Sequence, residues 1–222
     1  MKVNYHYHSG VSVESGDKLY IFDYYSKGID PNIFELFDNI YVFVSHSHRD
    51  HFDKSILKWD VPGRNMKYIF SSDVKVAKSP SELIIVKPGD SVEIDGMTVT
   101  ALESTDEGVA YLVSTSRECI FHAGDLNWWH WEGEPDDYNM QMAVKYKSEI
   151  DKLKGNPIDI AFIPVDKRLE GSMFYAIDHL MSAAEVRMVC PIHFWDDWEY
   201  IRKMKEGLKD REYFNKIYFY GR

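Results

Sequence analysis

The 222-residue chain is acidic, with 36 aspartates and glutamates against 26 lysines and arginines and a net charge of −10. This balance argues against a protein that binds the phosphate backbone of nucleic acids, because such a protein needs a basic face. The two cysteines, Cys119 and Cys190, imply no disulfide framework and fit a reducing compartment. The sequence shows neither a secretory signal nor an apolar run of about 18 residues, so we expect a cytoplasmic protein that does not enter the membrane.

The first half of the chain is predicted to consist mainly of strands. Residues 1–25 alternate between apolar and polar side chains, with a hairpin signal at Gly16-Asp17. A second hairpin signal is Asp95-Gly96. Further strands are predicted at residues 40–44, 67–70, 83–86, 92–94, 97–102, 108–113 and 118–122. A short helix or turn is predicted at 31–37, and a helix through residue 59 with Asp53 as its N-cap.

Helices and strands alternate in the second half. Helices are predicted for residues 138–153, 173–186 and 195–208, and strands for 158–164, 189–192 and 217–220. No linker rich in proline, glycine or serine divides the chain. We therefore expect a single domain of the α/β class that spans residues 1–222.

Three histidines and an aspartate lie within six residues, directly after the apolar run 41–44. They are His46, His48, Asp50 and His51. Side chains two apart on an extended segment point the same way, so His46 and His48 can share one metal ion. Asp50 and His51 fall on the following turn, where they can face a second ion. Neutral imidazole and carboxylate are ligands that zinc and its first-row neighbours prefer.

The spacing His-x-His-x-Asp-His resembles the metallo-β-lactamase superfamily. The resemblance implies a four-layer αββα sandwich and a metal-dependent hydrolase. Within the superfamily, the sequence is most similar to the single-domain, lactonase-like branch related to ascorbate-6-phosphate lactonase. In that branch a histidine near the first strands lies close to the active site, and the stretch Tyr7-His8-Ser9-Gly10 places His8 at the matching point. His8 is thus a further candidate ligand.

Two later residues match the family's remaining ligands. Asp125 ends the run Cys119-Ile120-Phe121-His122-Ala123-Gly124-Asp125, and the resemblance implies that it bridges two metal ions. His193 follows Cys190-Pro191-Ile192 and resembles the family's last ligand.

One element of the family pattern is absent from the sequence. Family members usually carry a histidine between the first motif and the bridging aspartate, but no histidine lies between His51 and His122. Thr105 falls closest to the expected position. Asp106 or Glu107 beside it is the candidate replacement, with an oxygen ligand in place of the imidazole. The alternative is a single metal on Asp50, His51, Asp125 and His193.

Two stretches are candidates for the substrate pocket. Trp128 and His130 belong to a tryptophan-rich segment that either covers the pocket or packs as a hydrophobic plug beneath its loop. Lys167 and Arg168 follow a predicted strand end. They either bind an anionic group of the substrate or are simply solvated.

These residues lead to three functional hypotheses. The first is a hydrolase that uses one or two divalent metals, zinc before manganese or iron, to activate water against a small ester, lactone or related substrate, with Asp50 as the catalytic residue. The second is a small-molecule phosphodiesterase, favoured if Lys167 and Arg168 line the pocket. The third is a non-catalytic metal-binding or sensing protein. A small-molecule substrate is the expected partner, without nucleic acid or membrane, and a homo-oligomer is left open.

Overall fold

The computed structural model describes residues 1–25, 28–59, 61–80 and 82–220. The chain divides into two compact units, Met1–Lys87 and Pro88–Arg222, and each contains a six-stranded sheet. The predicted α/β class is confirmed, and the expectation of a single domain stays a prediction. None of the helices in the described part of the chain is long and apolar enough to cross a membrane.

The sheet of the first unit has its strands in sequence order. They are β1 (Lys2–Tyr7), β2 (Gly10–Ser15), β3 (Lys18–Phe22), β4 (Asn39–Val44), β5 (Asn65–Ser71) and β6 (Leu83–Val86). The first three strands are antiparallel, with the predicted hairpin at Gly16-Asp17 between β2 and β3. Strands β3 to β6 are parallel, so β3, β4 and β5 all end at one edge of the sheet.

One face of this sheet is covered by short 3₁₀ helices. Pro31–Leu36 and Lys54–Lys58 are capped by Asp30 and Asp53, whose side chains accept hydrogen bonds from backbone N–H groups two residues on. The sequence predicted a helix or turn for the first segment and a helix for the second, and the cap at Asp53 lies where expected. Both segments end after only five or six residues, because the following residue returns to extended backbone. Their apolar side chains pack onto β3, β4 and β5 in one cluster.

The sheet of the second unit is also arranged in sequence order. Its strands are β7 (Ser91–Ile94), β8 (Met97–Glu103), β9 (Val109–Ser114), β10 (Cys119–His122), β11 (Ile158–Pro164) and β12 (Val186–Ile192). Strands β7 to β10 form an antiparallel meander that includes the predicted hairpin at Asp95-Gly96. Strands β10, β11 and β12 are parallel and end at one edge.

Three helices connect or follow these parallel strands. They are α1 (Asp136–Asp151), α2 (Tyr175–Ala183) and α3 (Trp198–Gly207). Each is close to its predicted position but starts or ends a few residues away, as expected for helix ends. The predicted closing strand at residues 217–220 is wrong: Ile217 forms an isolated bridge to Val189, directly after a 3₁₀ turn.

Candidate functional site

In the first unit, polar residues follow the ends of parallel strands β3 and β4. Asp23 comes directly after β3, and Ser45 and His46 follow β4. The fully buried Asp23 accepts hydrogen bonds from the Ser45 backbone N–H and hydroxyl, both at 2.7 Å, and from His51 Nδ1 at 2.8 Å. One carboxylate therefore fixes both ends of the histidine motif.

These hydrogen bonds also determine the tautomers of two histidines. The Ser45 hydroxyl gives its proton to Asp23, so it accepts a hydrogen bond from His46 Nδ1, which lies 2.9 Å away. His51 Nδ1 likewise donates to Asp23. In both rings Nε2 then carries the lone pair that a metal ion requires.

The imidazoles of the motif lie close together. The ring centres of His46 and His51 are 4.0 Å apart, those of His46 and His48 are 4.6 Å apart, and those of His8 and His51 are 5.2 Å apart. His8 Nε2 also lies 3.3 Å from a carboxylate oxygen of Asp50. His8, His46 and His51 are fully buried, whereas His48 is exposed. The structure thus groups all five predicted ligands of this unit.

Burial and the neighbouring imidazole of His51 lower the pKa of His46 to about 3. The ring is therefore neutral near pH 7, the form in which histidine binds metal. A buried neutral imidazole, further buried imidazoles beside it and an adjacent carboxylate fit a divalent first-row metal.

Gly10 lies where the backbone of the β1–β2 turn, which carries His8, approaches Asp23. A Cβ at Gly10 would lie 2.8 Å from the Asp23 carbonyl oxygen and 3.0 Å from that of Tyr7. Both atoms are backbone, so relief requires the turn or Asp23 to move. We expect Gly10→Ala to destabilise the protein by about 1–3 kcal/mol and to weaken metal binding, measured by thermal unfolding and metal titration.

Gly171→Ala is the matched control for this change. The position has an ordinary backbone φ, and the nearest atom to an added Cβ is a flexible glutamate oxygen 3.9 Å away. Its stability and metal affinity should stay at the wild-type values. Equal behaviour of the two variants would show that close approach at Gly10 does not matter.

In the second unit, three polar residues follow the ends of the parallel strands β10, β11 and β12. They are Asp125, Asp166 and His193. His193 Nδ1 lies 3.1 Å from Asp166 Oδ2, and its Nε2 lies 3.4 Å from Asp125 Oδ1. The three side chains are buried. The imidazole is thus held from behind by Asp166 and presents Nε2 beside Asp125.

Burial, hydrogen bonding and charge act together on the ionisation of His193 and Asp166. Burial lowers the pKa of His193, but the contact with Asp166 and the negative charge of Asp125 outweigh it, so the net shift is upward. Burial raises the pKa of Asp166, but His193 and Arg168 together pull it well below the usual range. Asp166 is therefore a carboxylate at any physiological pH.

A cleft of about 200 Å³ in the second unit contains the candidate ligands Asp125 and His193. It is lined by Thr105, Asp106, Asp125, Trp129, Trp131, Tyr138, Met142, Arg168 and His193. Of the four predicted pocket residues, Arg168 lines this cleft, whereas Trp128, His130 and Lys167 lie elsewhere. Trp128 and His130 pack against Tyr175, and Lys167 pairs with Asp197 at 2.7 Å. Trp129 and Trp131 supply the aromatic wall instead.

Thr105, the residue closest to the expected position of the missing family histidine, is hydrogen-bonded to the backbone of the loop that follows Asp125. Thr105 Oγ1 donates to the carbonyl of Asn127 at 2.7 Å and accepts from its N–H at 2.9 Å. The next residue, Asp106, is exposed and has a carboxylate oxygen within 4.8 Å of one of Asp125. Of the two candidate replacements, Asp106 lines the cleft beside Asp125, whereas Glu107 is not among the cleft residues that the structure describes.

Three residues of the site were not singled out from the sequence. Asp23 and Asp166 orient the histidines, and each ends an apolar strand, the same signal that identified Asp125. Trp195 packs against His193 with ring centres 4.9 Å apart, and the Arg168 guanidinium lies 5.2 Å from its ring. No local pattern in the sequence indicates that contact.

No protein-family profile and no curated protein matches the chain significantly. Solved structures do. A protein from Parabacteroides distasonis assigned as a metal-dependent hydrolase is 20% identical, with a TM-score of 0.66 over 94% of this chain and 88% of that one. Igni18, a metallo hydrolase from Ignicoccus hospitalis, is 15% identical, with a TM-score of 0.63 over 97% and 93%.

A third structure supplies the name of the fold. YhfI from Bacillus subtilis, a metallo-β-lactamase fold protein, is 14% identical, with a TM-score of 0.52 over 89% of this chain and 83% of that one. The chain therefore has the metallo-β-lactamase fold, as its histidine motif predicted.

Proposed function

We propose that this chain is a metal-dependent hydrolase of a small ester, lactone or related molecule. Its metal ligands are His46, His48, Asp50 and His51 of the first unit and Asp125 and His193 of the second, with His8 and Asp106 as additional candidates. The observation that carries the proposal is the orientation of His46 and His51. His51 Nδ1 is hydrogen-bonded directly to the buried carboxylate of Asp23, and His46 Nδ1 is linked to the same carboxylate through the Ser45 hydroxyl. Nε2 of each ring is thus left for a metal.

The metal would activate a water molecule and stabilise negative charge on the oxygen of the substrate. The protein groups have separate roles in this proposal. Asp50 is partly exposed and lies beside His8, so it is the carboxylate available to take up a proton. Trp129 and Trp131, stacked with parallel rings, form an apolar wall beside Asp125 and limit the access of water to the cleft.

Arg168 favours a substrate that carries a negative charge. Its guanidinium donates from Nε and Nη2 to the Asp166 carboxylate and lies over the rings of Trp131 and Trp195, so its position is fixed. This feature supports a small phosphodiester as the second candidate substrate. Lys167, the other residue of that argument, is not among the cleft residues that the structure describes and gives the phosphodiester no support.

The direct test is hydrolysis by protein loaded separately with zinc, manganese or iron(II). p-Nitrophenyl butyrate, a γ-lactone and bis(p-nitrophenyl) phosphate represent the ester, lactone and phosphodiester classes. Turnover of the ester or lactone that disappears with a chelator and returns with metal would support the proposal. Phosphodiester turnover alone would favour the second candidate. A fully metallated protein without any turnover would overturn both and favour a metal-binding or sensing role.

Asp106→Ala tests the replacement of the missing histidine. We expect elemental analysis of the purified protein to give two metal ions per chain, falling to one in the variant, because Asp106 lies beside Asp125 in the cleft. Glu107→Ala is the control and should keep both ions. One ion in all three proteins would mean that Asp106 binds no metal.

A further inference from the structure

A second concave site lies in the first unit. It is a groove of about 970 Å³ beside the 3₁₀ helix Lys54–Lys58, the start of β5 and the loop that follows β5. Its volume is at the upper end of the range of about 300–1,000 Å³ typical of small-molecule sites. None of the described residues that line it is a candidate metal ligand. The mechanism proposed above therefore leaves this groove without a role.

The rim of the groove is basic. Its described lining contains five basic side chains, Lys54, Lys58, Arg64, Lys75 and Lys78, but one acidic side chain, Glu82. The whole chain, by contrast, has a net charge of −10. The groove is thus a local cluster of basic residues on an acidic protein, and such a cluster favours an anionic ligand.

Three of these lysines have their charge available for a ligand. Arg64 is bound by Asp38, and the Lys75 ammonium donates to the Ser72 carbonyl. Lys54, Lys58 and Lys78 are exposed, and within the described part of the chain no carboxylate pairs with them.

The floor of the groove is aliphatic. It consists of the half-buried side chains of Leu57, Val61, Met66, Val76 and Pro80. The two aromatic residues of the lining are occupied within the protein. Trp59 packs against Tyr24 and Phe34, and the Tyr68 hydroxyl donates to the carbonyls of Ile56 and Trp59. The floor is thus suited to an alkyl chain rather than to stacking with a planar base.

We propose that this groove binds an amphipathic anion with an alkyl chain and a carboxylate head, namely a monomeric fatty acid. The chain would lie along the aliphatic floor, and the head group would contact Lys58 and Lys78 at the rim. A basic rim around exposed apolar side chains also resembles a surface that docks on an anionic membrane. The concave shape of the groove favours a single small molecule over a planar bilayer.

Calorimetric titration with dodecanoate, below its micelle-forming concentration, tests the proposal on the intact protein. We expect one saturable site per chain. The uncharged 1-dodecanol should bind about tenfold more weakly, since it lacks the contacts with the lysines. Equal binding of the alcohol and the carboxylate would overturn the assignment of the rim as an anion site. Binding to anionic phosphatidylglycerol vesicles without binding of monomeric dodecanoate would overturn it in favour of a membrane surface.

The double variant Lys58→Gln/Lys78→Gln locates the bound anion. Both side chains are exposed, so folding should be unaffected, and the affinity for dodecanoate should fall about tenfold. Lys145→Gln/Lys203→Gln removes the same charge from exposed positions of α1 and α3 and should bind like wild type. Undiminished binding by the first variant would place the fatty acid elsewhere, including at the candidate metal ligands, and would overturn the proposal. Metal content and ester hydrolysis should be the same in both variants as in the wild type. A negative result for fatty-acid binding is therefore distinct from a negative result for the hydrolase assignment.

Discussion

Asp23→Asn is expected to weaken the binding of divalent metal by about 10- to 100-fold. Asparagine keeps one oxygen, which can still accept from the Ser45 N–H, but it places an NH₂ group where Asp23 Oδ2 now accepts from His51 and the Ser45 hydroxyl. The Nδ1–H of His51 then faces this NH₂ group, and His51 loses the contact that directs its Nε2. Asp23 has a φ of 45°, a conformation that asparagine tolerates, so the backbone should not change.

The metal-free variant should also lose about 1–3 kcal/mol of stability, because buried donors are left without an acceptor. Competition against a chromophoric chelator measures the affinity, and thermal unfolding measures the stability. Asp73→Asn is the matched control. Asp73 accepts a hydrogen bond from the backbone of Ser47 at 2.8 Å, and the amide oxygen of asparagine can replace that acceptor. A loss of stability in Asp23→Asn without a loss of metal affinity would show that Asp23 supports the fold but not the ligands.

The histidine motif could be predicted from the sequence because its geometry is local. His46, His48 and His51 lie within one strand end and one turn, where spacing alone decides which side chains can meet. The predicted hairpins and the helix cap at Asp53 depend on equally short-range rules and were found at their predicted positions. Short-range chemistry thus accounts for what was predicted correctly.

The orienting carboxylates depend on contacts between distant parts of the chain. Asp23 lies 22 residues before Ser45, and they meet because β3 and β4 pair in parallel. The same holds for Asp166 and His193 at the ends of β11 and β12. Apolar strand patterns predict the strands but not their neighbours in a buried parallel sheet. A strand-terminal aspartate was therefore visible in the sequence, but its histidine partner was not.

The aromatic wall of the cleft shows a different limit. The sequence named Trp128 of the tryptophan-rich segment as a candidate for the pocket, but the cleft is lined by Trp129 and Trp131. Trp129 is turned to the cleft by a hydrogen bond from its indole N–H to the Asp125 carbonyl, while Trp128 packs against Tyr175. The direction of a side chain in an irregular loop is set by such contacts, and no periodicity reveals it.

Asp166→Asn is expected to reduce metal affinity and hydrolysis by about 10- to 100-fold. Asp166 has two functions that this substitution separates. Its Oδ1 caps the 3₁₀ helix Lys167–Ser172 by accepting from the Arg168 N–H, and asparagine caps equally well. Its Oδ2 contacts His193 Nδ1 and Arg168 Nη2, and there the amide of asparagine would oppose two donors. His193 should then lose the contact that holds its Nε2 beside Asp125.

Two further variants assign the effect to one partner. Asp197→Asn makes the same substitution at an N-cap, where the side chain accepts from the Tyr200 N–H, and should leave metal affinity unchanged. Arg168→Met removes the other partner of Asp166 and should raise KM for an anionic substrate without lowering metal affinity. If Arg168→Met reproduced the loss of metal in Asp166→Asn, the carboxylate would act through the guanidinium. A loss confined to Asp166→Asn would mean that Asp166 acts on His193 directly, since the imidazole is then the group whose orientation has changed.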